Sequence, residues 1–142
     1  MAWAGNLWTW APQLRIAHRF PLQNESHFQL EFGLWDPPAA GYNMGDVFRS
    51  PSPGEQTKQP AYESRISYAT GGGERNLQIG LSGYYSRQSY PSQGNDSWAI
   101  TEDWRLPLSS RFELSGEGYR GRSLGGLGGG VYKDVQIGRA HV

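Results

Sequence analysis

Six segments of this chain place an apolar residue at every second position. They run Leu14, Ile16, His18, Phe20; then Phe28, Leu30, Phe32, Leu34; then Tyr62, Ser64, Ile66, Tyr68. The last three are Leu77, Ile79, Leu81, Gly83; Trp98, Ile100, Glu102, Trp104, Leu106; and Phe112, Leu114, Gly116, Gly118. A period of two is the mark of a strand with one apolar face. No window of useful length carries a helical period. The pattern predicts an all-β chain with strands near 13–21, 27–35, 62–69, 75–86, 97–106 and 111–120. Glu102 is a flaw in it, a charge on the apolar face.

The connections between these segments alternate in length. Residues 22–26, 70–74 and 107–110 are short turns. Residues 36–60, 87–96 and the Gly-rich 121–130 are long loops. Strict alternation gathers the tight turns at one end of a sheet and the loops at the other, as in transmembrane barrels. Greek-key crossings of a sandwich would scramble that order. A hairpin also repeats: His18-Arg19-Phe20-Pro21-Leu22 followed by Phe28-Gln29-Leu30-Glu31 matches Asp103-Trp104-Arg105-Leu106-Pro107-Leu108 followed by Phe112-Glu113-Leu114. Repeated hairpins build up-and-down barrels. The expected fold is therefore an antiparallel up-and-down meander, part of a transmembrane β-barrel. Six strands, with a seventh starting near Val131-Tyr132, fall short of the roughly eight needed for closure.

Composition sharpens this picture. Among 142 residues there are 20 Gly, 9 Pro, 6 Trp, 8 Tyr and 5 Phe, beside only 37% apolar residues. So many aromatics argue against disorder, and thinly spread apolar residues suit a wall with a wet face. The aromatics fall in two groups. Phe20, Phe28, Trp104 and Phe112 lie near the short-turn end; Trp35, Tyr85, Trp98 and Tyr119 lie near the loop end. They are expected to form girdles at two membrane–water boundaries. The 13 basic residues balance the 13 acidic ones, so nucleic acid is not an expected partner. Cysteine is absent, which excludes disulfides, thiolate metal sites and cysteine nucleophiles.

The ends read differently from the middle. Met1-Ala2-Trp3-Ala4-Gly5 has neither the basic start nor the apolar core of a secretory signal, so a leader is expected upstream. Ile137-Gly138-Arg139-Ala140-His141-Val142 resembles one reading frame of a DNA-sequencing adapter. The domain is accordingly expected to occupy residues 1–136, as a piece of one barrel, with 137–142 foreign to it.

A resemblance can now be stated. Ile79-Gly80-Leu81-Ser82-Gly83-Tyr84-Tyr85, Ser97-Trp98-Ala99-Ile100, and Phe112-Glu113-Leu114-Ser115-Gly116-Glu117 running into Gly125-Gly126-Leu127-Gly128-Gly129-Gly130 resemble porin-like outer-membrane proteins of Gram-negative bacteria. The similarity covers residues 76–130 and, more loosely, 13–35. It implies an outer-membrane barrel and carries no functional residue over.

Chemistry is sparse. Gly116-Glu117-Gly118-Tyr119-Arg120-Gly121 fits the dinucleotide pattern G-x-G-x-x-G, which works only where the glycines open a helix. Here Gly-rich sequence follows, and strand glycines are expected. Glu113 and Glu117 share a face about 13 Å apart at ~3.3 Å per residue, too far for a glycosidase pair at roughly 5 to 9.5 Å. His18 and His27 lack a third ligand for zinc. No enzyme, metal or cofactor is expected. The polar faces carry the better signal: Arg15, Arg19, Glu31, Glu63, Arg65, Asp103, Arg105, Arg111, Glu113 and Glu117 are the candidate lumen-lining residues, five arginines against five acids. Such a wall is expected to form Arg–carboxylate bonds along the lumen. Pairing Leu106 with Phe112 sets Arg105 opposite Glu113. The function expected is passive passage of small polar solutes through a porin-like channel in outer-membrane lipid, with self-association left open. A plugged anchoring or adhesive barrel and a soluble carbohydrate-binding β-domain are the alternatives.

Overall fold

The computed structural model describes residues 12–37, 51–71, 76–90 and 93–127. They form six strands: β1 (Gln13–Pro21), β2 (His27–Trp35), β3 (Ala61–Ala69), β4 (Gln78–Tyr90), β5 (Gln93–Pro107) and β6 (Glu113–Arg122). All pair antiparallel in chain order, β1-β2-β3-β4-β5-β6, as one meandering sheet. Among the described residues there is no α-helix, only single 3-10 turns at Glu55–Thr57 and Gly125–Leu127. The sheet is open, because β1 and β6 do not pair with each other. No helix of the described residues is long and apolar enough to cross a membrane, which says nothing of a barrel.

Local chemistry closes the two tight hairpins. Between β1 and β2, Asn24 and Glu25 both take positive φ, at 57° and 58°. That is the twist that suits a hairpin, and Leu22 N–H donates to Ser26 O at 2.7 Å. Between β5 and β6, Leu108 and Ser109 N–H both donate to Phe112 O, at 3.0 and 3.1 Å. The Ser109 hydroxyl accepts from the N–H groups of Arg111 and Phe112 at 3.2 Å each, a serine turn that fixes the corner. This five-residue corner pairs Pro107 with Glu113 and Leu106 with Leu114. The expected pairing of Leu106 with Phe112 is thus two residues out, a slip that leaves the faces unchanged.

The third connection differs from expectation. Residues 87–96 are not a long loop: β4 and β5 stay paired out to Tyr90 and Gln93. The ladder outlasts the hydrophobic alternation, since Ser86, Gln88, Asn95 and Ser97 continue the period with polar side chains. At the short-turn end the described connections 22–26 and 108–112 are tight, while at the other end β4 and β5 extend as a two-stranded arm. The expected seventh strand near residues 131–132, residues 38–50 of the 36–60 loop, residues 72–74 of the 70–74 turn, residues 128–130 of the Gly-rich loop and residues 137–142 lie outside the described residues.

Strand register sorts the apolar face into four rows. Starting from the short turns, they are Phe20, Phe28, Tyr68, Ile79, Trp104, Gly116; then His18, Leu30, Ile66, Leu81, Glu102, Gly118; then Ile16, Phe32, Ser64, Gly83, Ile100, Arg120; and last Leu14, Leu34, Tyr62, Tyr85, Trp98, Arg122. This face is bare. Ile16 is 68% exposed, and Leu30, Phe32, Leu81 and Ile100 are also exposed. The buried side chains lie on the opposite face, where Ser86 is 0% and Gln88 1% exposed. Hydrophobicity and burial run in opposite senses across this sheet.

Candidate functional site

The polar face gathers the charged residues. Arg15, Arg19, Glu31, Glu63, Arg65, Asp103, Arg105, Glu113 and Glu117 share it by register. Arg111 does not, because it lies in the turn before β6 and is exposed; the strand starts two residues later than its alternation implied.

These side chains form a transverse ladder. Arg15 on β1 pairs with Glu31 on β2 at 3.1 Å, and Arg65 on β3 approaches the same carboxylate at 3.8 Å. Arg65 then crosses β4 and grips Asp103 on β5 in a two-pronged bond, one arm to Oδ1 and the other to Oδ2 at 2.8 Å. It also donates to Ser82 Oγ at 3.3 Å on the way. Arg19 donates to Gln29 at 3.3 Å, and Gln29 donates to Glu31 at 3.0 Å. A fork of this kind fixes both groups in direction as well as distance.

Gly80 makes the crossing possible. It lies between Ser67 on β3 and Asp103 on β5, and the Arg65 guanidinium lies over it. A Cβ on Gly80 would stand 2.5 Å from Arg65 Cζ and 2.6 Å from Nη1. Any side chain there would push the guanidinium off its path. The sequence pattern gave this glycine no role, and no signal short of the paired register could have assigned one.

A second pair sits near the short turns. Arg105 Nε donates to Glu113 Oε1 at 3.1 Å. The bond joins a diagonal pair, since the residue facing Arg105 is Ser115; the partnership is as expected and the register is not. Toward that end the polar face holds a groove of about 360 Å³, bordered by Arg19, His27, Gln29, Ser67 and Gln78. Among the described residues no group of three or more His, Asp and Glu side chains converges as a metal site.

The loop end of the polar face is covered instead. After β6 the chain reverses at Ser123, with φ of 57°. Asn95 Nδ2 donates to Ser123 Oγ at 2.6 Å, and Ser97 Oγ donates to the Ser123 carbonyl at 2.7 Å. Leu124 and Leu127 then pack with Ala61, Tyr84 and Ala99, with Trp35 against them. Gly121 gives Leu124 its seat, for a Cβ there would stand 2.6 Å from Leu124 Cδ1. On the other side Ser89 N–H donates to Pro53 O at 2.8 Å, which ties the 36–60 loop to the free edge of β4.

The aromatic assignments divide. Phe20, Phe28 and Trp104 share the first apolar row, with Tyr68 added; Phe28 and Tyr68 rings lie 5.0 Å apart. Phe112 follows in the turn, 71% exposed. Tyr85 and Trp98 share the last row, with Tyr62 added. Trp35 and Tyr119 do not belong with them. Trp35, one residue past the apolar Leu34, lies on the polar face and stands edge-on to Tyr84 at 5.4 Å, and Tyr119 faces Thr101 there. Each is one residue out of phase with the apolar positions of its strand.

The three glycines of the G-x-G-x-x-G stretch lie on or at the end of β6, and no helix opens from them. The Trp104 indole lies across Gly116, and the Glu102 side chain lies over Gly118. No protein-family model, curated protein or solved structure matches the chain.

Proposed function

We propose that this sheet is part of the wall of a porin-like β-barrel in a bacterial outer membrane, passing small polar solutes without chemistry. The observation that carries the reading is the inversion of burial: a broad apolar face stands bare while serines and a glutamine are buried opposite. In water such a face would be an interaction surface or an aggregation hazard. In lipid it is the ordinary outer surface of a barrel, with the polar face turned to a wet lumen. β1, β2 and β3 each have nine residues, about the length of a membrane-crossing strand. The two aromatic rows lie six residues apart on β3 (Tyr62, Tyr68) and β5 (Trp98, Trp104), about 20 Å along the strand at ~3.4 Å per residue.

On this reading solutes are sorted by width and by the charges left over from pairing. The ladder from Arg15 to Asp103 and the Arg105–Glu113 pair take up six of the nine charges on this face, and the groove near Arg19 and Gln78 offers donors and acceptors to a passing solute. The full-length protein reconstituted in a planar bilayer should give stepwise conductance. Recovery from cells in the soluble fraction without detergent would overturn the reading.

One observation favours a non-conducting, plugged barrel instead. The segment 123–127 folds back over the polar face, where Leu124 and Leu127 pack with Tyr84 and Ala99 and Ser97 bonds Ser123. A membrane-embedded protein that gives no conductance until this segment is cut out would establish that reading.

A further inference from the structure

We propose that the outer face of β5 and β6 is a contact between two copies of this protein within the membrane, joined through Glu102 and Arg120. The inference rests on the membrane-wall reading above and adds a partner to it.

The argument begins with where charge falls on the apolar face. In its two middle rows, β2, β3 and β4 present Leu30, Phe32, Ser64, Ile66, Leu81 and Gly83, none of them charged. β1 adds Ile16 and His18. The formal charges in those rows are Glu102 on β5 and Arg120 on β6, side by side at one flank of the sheet. Mid-depth is where a charge toward lipid costs most, ~2–4 kcal/mol for an arginine and less for an acid. A wall that meets lipid all round has no use for two such residues on neighbouring strands.

Among the described residues no side chain forms an ion pair with Glu102 or Arg120, whereas Arg105 and Glu113, a diagonal pair on the other face of the same two strands, do form one. Both side chains are exposed. Glu102 lies over Gly118, so its side chain leans toward the strand that carries Arg120. The acid and the base therefore lie together on one small patch at that flank.

The charges choose the partner. An acid and a base on one small patch are self-complementary, which is the requirement of a two-fold contact. A two-fold axis between β5 and β6 sets Glu102 of each copy toward Arg120 of the other. The offset of one row, ~7 Å along the strand, is within the reach of an extended arginine. Two charge-assisted bonds then form away from water, where they are strong.

The test is a charge-swap in the full-length protein, solubilised in dodecyl maltoside and measured by sedimentation. Wild type should be dimeric. Glu102→Arg alone and Arg120→Glu alone should each be monomeric, with association weakened at least tenfold. Mixing these two variants should restore dimers, because each copy then offers the charge that the other lacks. Wild type that stays monomeric in micelles and in lipid vesicles, or single variants that associate as wild type does, would overturn the contact and leave the wall reading standing. Protein that needs no detergent would overturn both. Should a charge reversal prevent folding, Glu102→Gln and Arg120→Gln keep shape and should still weaken association tenfold; unchanged association would refute the proposal.

Discussion

Replacing Gly80 by alanine isolates the device on which the polar face depends. In isolation the change should help, because glycine inside a strand costs about 0.5–1 kcal/mol relative to alanine. Here the new methyl would stand 2.5 Å from Arg65 Cζ, so the guanidinium must swing away and release Asp103. Hydrogen bonds to charged groups contribute ~1.5–3 kcal/mol. Asp103 is 35% exposed and Arg65 21%, so screening brings the loss for the fork to about 2–3 kcal/mol in all. The balance is a net destabilisation of ~1–2 kcal/mol. With Arg65 already replaced by alanine nothing is left to displace, and Gly80→Ala should stabilise by ~0.5–1 kcal/mol. Urea unfolding of wild type, both single variants and the double variant in micelles measures the coupling. An effect of Gly80→Ala with the same sign and size in both backgrounds would refute the reasoning.

Depth on the apolar face gives a further expectation. Leu81→Arg, in a middle row, should cost ~2–4 kcal/mol of stability in lipid vesicles, and Ile79→Arg, in the first aromatic row, only ~0–1 kcal/mol; equal costs would mean that the face does not meet a bilayer. Removing Glu113 with Glu113→Gln frees Arg105 and should move the bilayer reversal potential toward anions, and adding Arg105→Gln should bring it back. Leu124→Asp should loosen the segment at 123–127 and raise single-channel conductance, whereas unchanged conductance would show that the segment does not restrict passage. A double-mutant cycle on Phe28→Ala and Tyr68→Ala should give a coupling of ~0.5–1.5 kcal/mol from their ring contact.

Much of the fold is legible in the sequence, and the reason is periodicity. Alternation alone reproduces β1 and β2 to the residue and places β3 to β6 within a few residues. It fails in three physical situations. It stops where polar residues take over the period, so the arm formed by residues 86–97 reads as a loop. It cannot distinguish registers two residues apart, so Leu106 is matched to Phe112 instead of Leu114. Proximity along the chain also misleads about phase, so Trp35 and Tyr119 are grouped with residues of the opposite face. Nine of the ten charged candidates fall on the polar face as expected, because charge and phase agree there. The crossing of Arg65 over Gly80 is not legible in this way, since it depends on three strands being in register at once.

The passage of Arg65 over Gly80 also has a consequence for how the sheet finds its pairing. A slip of one residue turns every leucine inward and is rejected by hydrophobicity. A slip of two residues keeps leucines out and arginines in, so the apolar pattern is blind to it. Arg65 is not. Moved by two, β4 would bring Ser82 or Gln78 beneath the guanidinium, and either side chain would stand where it must pass to reach Asp103, 38 residues further along the chain. Neighbouring strands can zip locally in several registers, but the fork closes in one. The glycine thus distinguishes among alignments that the rest of the strand treats as equivalent.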